Sequence, residues 1–416
     1  MTELEFAKKI SELGGTAYLV GGAVRDKFRG VEAHDRDYCV TGIDEKTFAE
    51  AFPDTARFGK SFPVWSIEID AANCEVAFAR TEKKVSSGYR GFEVLFAPTV
   101  TIEQDLYRRD TTINAMAVEL LSGKLVDPFG GRADVLDKKI RAVSEHFTDD
   151  PVRALRAARQ AAQFGFDICA DTIEAMKLCG DELALEPSER IFDELSTALK
   201  TDRPSIFFRS LERANLLAIT FPEIENLRGK IQPTAFHPEG DAYEHTLNLV
   251  DEVAKVNPKP IVRFAALMHD IGKGTTPPEM LPHHYKHERR GLDVLKQMNR
   301  RMTLPGDWKK SAAFVIREHM RAPLLKHAGK IVDLLLNLHA QKISVADFCD
   351  IINADNHGLP PYLAHAEEII SELLKIGGRD APSNLHGSEV GNWIHDERIR
   401  RFVKIYPPFK SPAKEF

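Results

Sequence analysis

Long apolar runs are missing from this chain: none approaches the roughly 20 residues a helix needs to cross a bilayer, which argues against a membrane protein. The opening stretch, Met1-Thr2-Glu3-Leu4-Glu5-Phe6-Ala7-Lys8-Lys9, lacks the apolar core of a signal peptide. Cysteine is sparse. Cys39, Cys74, Cys169, Cys179 and Cys349 are scattered, odd in number and free of zinc-ligand spacing, so no disulfide framework or zinc finger is expected and a reduced cytoplasm is. Positive charge is not in excess either. With a net charge of −6, a nucleic-acid partner needs a local basic surface. Internal repeats, low-complexity tracts and heptad arrays are absent, which sets aside solenoids and coiled coils. What is left is an ordinary soluble composition, 43% hydrophobic and 28% charged, long enough for about two to four structural units.

Against that background the turn Gly21-Gly22-Ala23-Val24-Arg25-Asp26 stands out, followed shortly by Asp35-Arg36-Asp37. Tyr18-Leu19-Val20 reads as a buried strand running into the glycines. Their bare backbone lets a triphosphate come close, and the N–H groups opening the next helix face it. Arg25 sits on the first turns of that helix, within reach of phosphate. Residues i and i+2 of a strand share a face, so 36–40 read as extended aims Asp35 and Asp37 into one pocket. Paired hard oxygens suit Mg²⁺, which keeps several waters and completes its shell with substrate phosphates. Two such ions can hold the attacking and leaving oxygens of an in-line phosphoryl displacement. Gly-Gly before a helix is common punctuation, and Asp-x-Asp alone is an ordinary polar turn. Their order and separation carry the reading of a nucleotide-polymerising site. Glu75, on a neighbouring strand, is a candidate third carboxylate.

Up to about residue 140 short strands alternate with helices. Residues 62–69 and 74–79 read as neighbouring strands joined by a turn at 70–73, and 115–120 with 124–127 as a short pair bent at Ser122-Gly123. Helical periodicity then takes over, in one block over 149–227 and a second from near His237-Pro238-Glu239-Gly240. The Pro- and Gly-bearing segment 228–240 is the expected boundary, and 404–416, with three prolines, is expected to fray. Arg108-Arg109-Asp110 ends a helical segment, and two guanidiniums followed by an acid suit phosphate, the acid fixing one fork. A solvated helix end is the alternative. Asp127-Pro128-Phe129-Gly130-Gly131 reads either as a hinge between catalytic and base-reading parts or as an inert loop.

Asp149-Asp150-Pro151-Val152-Arg153-Ala154-Leu155-Arg156-Ala157-Ala158-Arg159 opens a helix, with acids and Pro at its start. Positions three apart differ by about 60° around a helix, so Asp150 and Arg153 share a face; one accepts and the other donates, as reading a base edge requires. Arg156 lies a step further round, and Arg159 falls roughly opposite Asp150. A capped helix with a solvated arginine stripe is the alternative. Further on, His245, His269-Asp270 and Asp355 supply a second, chemically different set. Imidazoles with carboxylates bind divalent transition metals, which lower the pKa of bound water to make a hydrolytic nucleophile. His283, His284, His287 and His319 are individually weak candidates to line that pocket or orient its ligands.

Together these motifs resemble those of the class II tRNA nucleotidyltransferases, the CCA-adding enzymes, and in particular the bacterial multifunctional kind with a C-terminal HD phosphohydrolase domain. The likeness runs over nearly the whole chain from Tyr18. It rests on Gly-Gly-Ala-Val-Arg-Asp, Asp-Arg-Asp, Arg-Arg-Asp, Asp-Pro-Phe-Gly-Gly, Asp-Pro-Val-Arg-Ala-Leu-Arg, Glu189-Arg190-Ile191 and the His-Asp pair, in family order. The usual Glu-Asp of the base-reading motif is Asp149-Asp150 here. The first fifteen or so residues precede the matching stretch.

The resemblance implies an α+β fold: a mixed α/β nucleotidyltransferase head over 1–140, then an all-α neck and body over 141–228 binding the nucleotide base and RNA. An HD domain over 241–343 and a helical tail over 344–416 follow. It implies template-independent addition of CCA to the 3′ end of tRNA from CTP and ATP, in the cytoplasm and away from membranes, by a monomer or homodimer. In this family reading Asp35 and Asp37 are catalytic and hold Mg²⁺. Gly22, Arg25, Arg109, Arg156 and Arg159 contact the nucleotide, and Asp150 and Arg153 pair with its base in place of a template. His245, His269, Asp270 and Asp355 hold a transition metal, Ni²⁺ by family likeness, for phosphatase, 2′,3′-cyclic phosphodiesterase and 2′-nucleotidase activity, with His269 and Asp270 catalytic. Two rivals are a bacterial poly(A) polymerase of the same fold and an HD phosphohydrolase whose head only binds RNA. The HD pair, the acidic balance and Gly59-Lys60-Ser61-Phe62-Pro63 stand against the first; retention of both aspartates and the arginines stands against the second.

Overall fold

The computed structural model describes residues 1–406 without His34, 59–61, Ser87, 89–90 and 235–237. The Gly59-Lys60-Ser61 motif, His237 and all but the first residues of the 404–416 tail lie outside the described residues. Two compact units are present, one of Met1–Leu195 with Ile206–Thr220 and one of Ser196–Ser205 with Phe221–Phe416. The mixed α/β part is N-terminal and the remainder is helical, so the α+β expectation holds.

The first unit opens with α1 (Glu3–Glu12), β1 (Thr16–Val20), α2 (Gly22–Arg29), β2 (Asp37–Thr41), α3 (Glu45–Ala51), β3 (Ala56–Phe58), β4 (Val64–Ile69) and β5 (Ala72–Phe78). It continues with β6 (Arg80–Lys84), β7 (Phe92–Phe96), α4 (Ile102–Tyr107), β8 (Ala117–Glu119), β9 (Leu125–Val126), α5 (Gly131–Leu136) and α6 (Val152–Phe164). Seven strands form one sheet in the order β3-β4-β5-β2-β1-β8-β9. Within this sheet only β2 and β5 run parallel; β6 and β7 pair separately. The expected strand pairs are present, the first closed by a tight turn with φ of 51° at Asp70 and 61° at Ala71.

Alternation along β2 splits its side chains between two cores. Tyr38 and Val40 join Phe6, Phe48, Trp65 and Val76 on one face, and Cys39 joins Val20, Leu106 and Ala117 on the other. Because both faces are covered, the strand is buried from Tyr38 to Val40. α1, the segment outside the family likeness, is part of this core. A capping box of Thr2 and Glu5 starts it, and Phe6 and Ile10 are fully buried.

The second unit is helical. Its helices Ala242–Val256, Pro260–Met268, His287–Met302, Gly306–Glu318 and Val345–Asn356 enclose a core including Leu247, Val250, Phe264 and Phe314. An isolated antiparallel bridge joins Ile231 to Asp241.

Two candidate active sites

The first unit holds a cleft of about 840 Å³ lined by Gly22, Arg25, Asp37, Glu75, Arg109, Asp150, Arg153, Arg156 and Arg159, among others. β1 delivers the chain to Gly21, whose φ of 67° suits glycine and where a Cβ would lie 3.0 Å from Arg109 Nη1. α2 starts at once, so its first N–H groups open toward the cleft. Arg25 donates to both oxygens of Asp26 and, at 2.7 Å, to Asn114 Oδ1. The Arg25 and Arg29 guanidiniums each lie 4.4 Å from the centre of the Phe164 ring at the end of α6.

β2 begins at Asp37, not upstream as expected, and Asp35 lies exposed just before the strand. The i, i+2 rule therefore joins Asp37 to Cys39; Asp35 sits in the entering loop, is not among the residues that line the cleft, and acts on Asp37 through its charge. The nearest strand partner of Asp37 is Glu75, its register mate on β5. Burial, then Glu75, push the Asp37 carboxyl above the usual carboxylate range; Arg109 opposes and Asp35 adds to the rise. A carboxyl raised by burial and by a neighbouring carboxylate marks a place where a hard cation is wanted, which is the fit a Mg²⁺ site requires.

Arg109 is aimed by Asp105, a 1% exposed carboxylate on α4 that takes hydrogen bonds from both Arg108 and Arg109. Burial pushes Asp105 up, but the two guanidiniums outweigh it and hold the carboxyl at about 2. Asp110 plays the same part for Arg156, accepting from its Nε at 2.8 Å and from Gln160 Nε2 at 3.2 Å. Asp110 too is held well below the carboxylate range despite full burial.

Asp150 is extended, just ahead of α6, and is held by Arg190 Nη2 at 2.7 Å and the Val152 N–H at 3.2 Å. Arg153 Nη1 donates to His146 O at 2.7 Å. Arg159, read from the sequence as facing away from Asp150, lines the same cleft and donates to Glu194 at 2.6 Å. The wheel misled because Asp150 is not on the helix; measured among themselves, Arg153, Arg156, Arg159, Gln160 and Gln163 span an arc of roughly 120°. The turn after Asp127 is held locally, Asp127 accepting from the N–H groups of Gly131 and Arg132 at 2.7 and 3.0 Å. Sequence reading passed over Asp105 and Glu82, which accepts from Arg108 Nη1 at 3.0 Å, and gave Asn114 and Arg190, the latter within the Glu189-Arg190-Ile191 motif, no contact of their own; the signal for the two carboxylates is only that each buried guanidinium needs an oxygen.

The second site gathers His245, His269, Asp270, Asp355, His287 and His319, all in the second unit. His269 ends the helix Pro260–Met268 and His319 ends Gly306–Glu318. Gly272 lets the helix His287–Met302 come close, since a Cβ there would lie 2.0 Å from His287 O. Asp270 is the centre. Its Oδ2 lies 3.1 Å from His269 Nε2 and 3.8 Å from His245 Nε2, while Oδ1 lies 3.0 Å from His287 Nε2 and 3.3 Å from His319 Nε2. Asp355 Oδ1 is 3.2 Å from His245 Nε2. Among the described residues, two ligand sets each fall within 4.8 Å, His245–His269–Asp270 and Asp270–His287–His319.

The imidazoles are oriented from behind. Nδ1 of His269 faces Ala266 O at 2.8 Å, that of His287 faces His284 O at 2.9 Å, and that of His319 faces Ile316 O at 3.0 Å. Donation from Nδ1 leaves the Nε2 lone pairs inward. His269 Nε2 and Asp270 Oδ1 are buried without a hydrogen-bond partner, as fits ligand atoms of a metal ion. Burial raises Asp270, but His269 and Lys273 prevail and hold it well below the carboxylate range. His287 and His319, weak from sequence, are thus central, whereas His284 bonds Thr276 and Ile231 O, and His283 stacks on Tyr285.

Comparison with known proteins agrees with this division. The family described as Poly A polymerase head domain matches residues 17–141, that described as Probable RNA and SrmB- binding site of polymerase A matches 165–227, and HD domain matches 242–352. The Multifunctional CCA protein of Burkholderia pseudomallei strain K96243 is 45% identical over 407 residues, 92% of this chain and 97% of the relative. That of Methylococcus capsulatus is 45% identical over 336 residues, 78% of this chain and 77% of the relative. The fold is shared with the CCA-adding enzyme of Bacillus stearothermophilus in complex with CTP, at TM-score 0.67 and 23% identity over 96% of this chain and 92% of that one. It is also shared with the Thermotoga maritima CCA-adding enzyme complexed with tRNA, at TM-score 0.64 and 20% identity over 96% and 90% of the two chains.

Proposed function

Because this chain belongs to the bacterial multifunctional CCA protein family, we propose that its two sites carry two chemistries: CCA addition to tRNA in the head and phosphoester hydrolysis in the HD domain. The observation that carries the first is the single cleft joining the Asp37–Glu75 pair, the phosphate-facing Arg25 and Arg109, and the base-facing Asp150 and Arg153. The 3′ hydroxyl of tRNA attacks the α-phosphorus of CTP or ATP, and pyrophosphate leaves. Mg²⁺ bound by Asp35 and Asp37, with Glu75 beside them, would lower the pKa of the attacking hydroxyl and offset charge on the phosphate. The open N–H groups from Gly22 onward, with Arg25 and Arg109, hold the triphosphate, and Asn114 keeps both guanidiniums in place through Oδ1 and its carbonyl. Arg156 and Arg159 add positive charge along the same wall. Asp150 accepts and Arg153 donates at the base edge, with Arg190 steadying Asp150.

In the HD site the donor set of imidazole and carboxylate suits a transition metal, Ni²⁺ in our reading, held by His245, His269, Asp270 and Asp355. The metal supplies an activated water. The chain contributes its orientation and, through Lys273 Nζ 2.5 Å from Asp270 Oδ2, a cation beside the phosphate position. The substrates we assign are phosphomonoesters and 2′,3′-cyclic phosphates at RNA ends. The division into head 1–140, neck and body 141–228, HD domain 241–343 and tail 344–416 goes with this reading, with helix Val345–Asn356 lending Asp355 to the HD site. Among the described residues no helix is long and apolar enough to cross a membrane, and all five cysteines are unpaired; we place the enzyme in the cytoplasm.

The test is to incubate tRNA lacking CCA with CTP and ATP and to sequence the product ends. Ends completed as C, C, A are expected. Runs of A would mean a poly(A) polymerase, and unextended ends an RNA-binding head.

A further inference from the structure

Two large apolar side chains are exposed next to the histidines that meet over Asp270. Tyr285, two residues before His287, is 64% exposed, and Met320, directly after His319, is 47% exposed. The Tyr285 ring is not a loose surface group. It stacks on His283 with centroids 5.5 Å apart and planes at 27°. The backbone presenting it is tied down on several sides. Arg290 donates to Tyr285 O and, at 2.9 and 2.8 Å, to the hydroxyls of Thr275 and Thr276. His284 is bonded to Thr276 Oγ1 at 2.8 Å and to Ile231 O at 3.0 Å. His284 O faces His287 Nδ1 at 2.9 Å, and His287 Nε2 lies 3.0 Å from Asp270. A hydrogen-bonded segment therefore displays an aromatic ring to solvent two residues from His287, an imidazole of the metal cluster. The segment His283-His284-Tyr285-Lys286-His287-Glu288-Arg289-Arg290 carries Lys286, Arg289 and Arg290 against the single acid Glu288. Cations interleaved with a stacking ring match the chemistry of a nucleotide.

We propose that Tyr285, backed by His283, is a nucleobase platform for the HD site: it stacks the base of a terminal nucleotide whose 2′-phosphate or 2′,3′-cyclic phosphate lies at the Asp270 cluster. The proposal rests on the phosphohydrolase reading of that cluster. It explains why an apolar ring is displayed there, since a phosphate alone would need only the cations and the metal. Because every base offers a π-face, the platform selects for nucleotides and RNA ends over base-free phosphoesters without selecting a sequence.

Hydrolysis of adenosine 2′-monophosphate and of glycerol 2-phosphate, a base-free phosphomonoester, is compared in the full-length protein supplied with Ni²⁺. Tyr285→Ala should raise KM for the nucleotide about tenfold, leave its kcat and the glycerol phosphate reaction unchanged, and be rescued by Tyr285→Phe. Equal losses on both substrates, or none on the nucleotide, overturn the platform. A second readout needs no catalysis. In Tyr285→Trp, fluorescence taken as the difference from wild type should be quenched by adenosine 2′-monophosphate and not by glycerol 2-phosphate. Absence of that quench overturns the platform even where hydrolysis proceeds, and quench in a protein that hydrolyses neither substrate upholds the platform while refuting the phosphohydrolase reading.

Discussion

Asp105 shows how much of the nucleotide site is built from groups that never touch the nucleotide. It orders Arg108 and Arg109 from a fully buried position. Its carboxyl is held at about 2, below its ordinary value, so its contribution to stability is present above about pH 4 and lost as pH falls toward 2. The shift corresponds to on the order of 2 kcal/mol. Asp105→Asn should therefore lower the free energy of unfolding, read from urea titration, by a similar amount at pH 7, and the gap to wild type should narrow below pH ~4. A gap unchanged down to pH ~3 would mean that the ion pairs with Arg108 and Arg109 are not its source. Asp150 and Arg153 call for a different measurement. If they read the base edge, replacing either with Ala should cost roughly 1–3 kcal/mol of discrimination against GTP and UTP. Incorporation assays that find discrimination intact would return them to the role of a helix cap and a buried ion-pair partner.

At the level of elements, α6 is the piece that joins the residues proposed to read the base to those proposed to hold phosphate. Its polar arc faces the cleft, and its last residue, Phe164, lies between the Arg25 and Arg29 guanidiniums, each 4.4 Å from the ring centre. A cation–π contact of about 0.5–2 kcal/mol is enough to bias where Arg25 points. Phe164→Leu keeps the volume and removes the ring face. It should raise KM for both CTP and ATP by roughly three- to tenfold with kcat little changed, and circular dichroism should match wild type. A fall in kcat at constant KM would show that Phe164 does not act through ground-state phosphate binding.

In the whole molecule the two chemistries occupy separate compact units, the carboxylates in one and the histidine cluster in the other. Asp37→Ala should abolish nucleotide addition and leave phosphomonoester hydrolysis, whereas His269→Ala should do the reverse. A single substitution that removed both activities would contradict independent sites. Metal analysis adds a check. Wild-type protein should retain a transition metal that His269→Ala loses, and Ni²⁺ should support hydrolysis better than Mg²⁺ because imidazole nitrogen favours it. Equal support by Mg²⁺ would exclude the imidazole ligand set as the working site.

What was legible in the amino-acid order is what depends on local geometry. Glycines before a helix, alternation in a strand and a Pro-opened helix announce themselves over a few residues, so the strand pairs, α2 and α6 could be read in place. The resemblance added the order of the motifs and with it the family. Three features were decided only by tertiary contact. β2 starts at Asp37 because its register with β5 begins at Glu75, which makes Glu75 rather than Asp35 the in-sheet neighbour of Asp37. Arg159 lines the cleft although its phase counted from Asp150 pointed away, because Asp150 lies off the helix. His287 and His319, from helices 32 positions apart in the chain, meet over Asp270 because Gly272 lets one helix approach the turn that follows it. Side chains that converge from distant elements leave no periodic trace in sequence, since their meeting depends on how helices pack and not on the residues beside them.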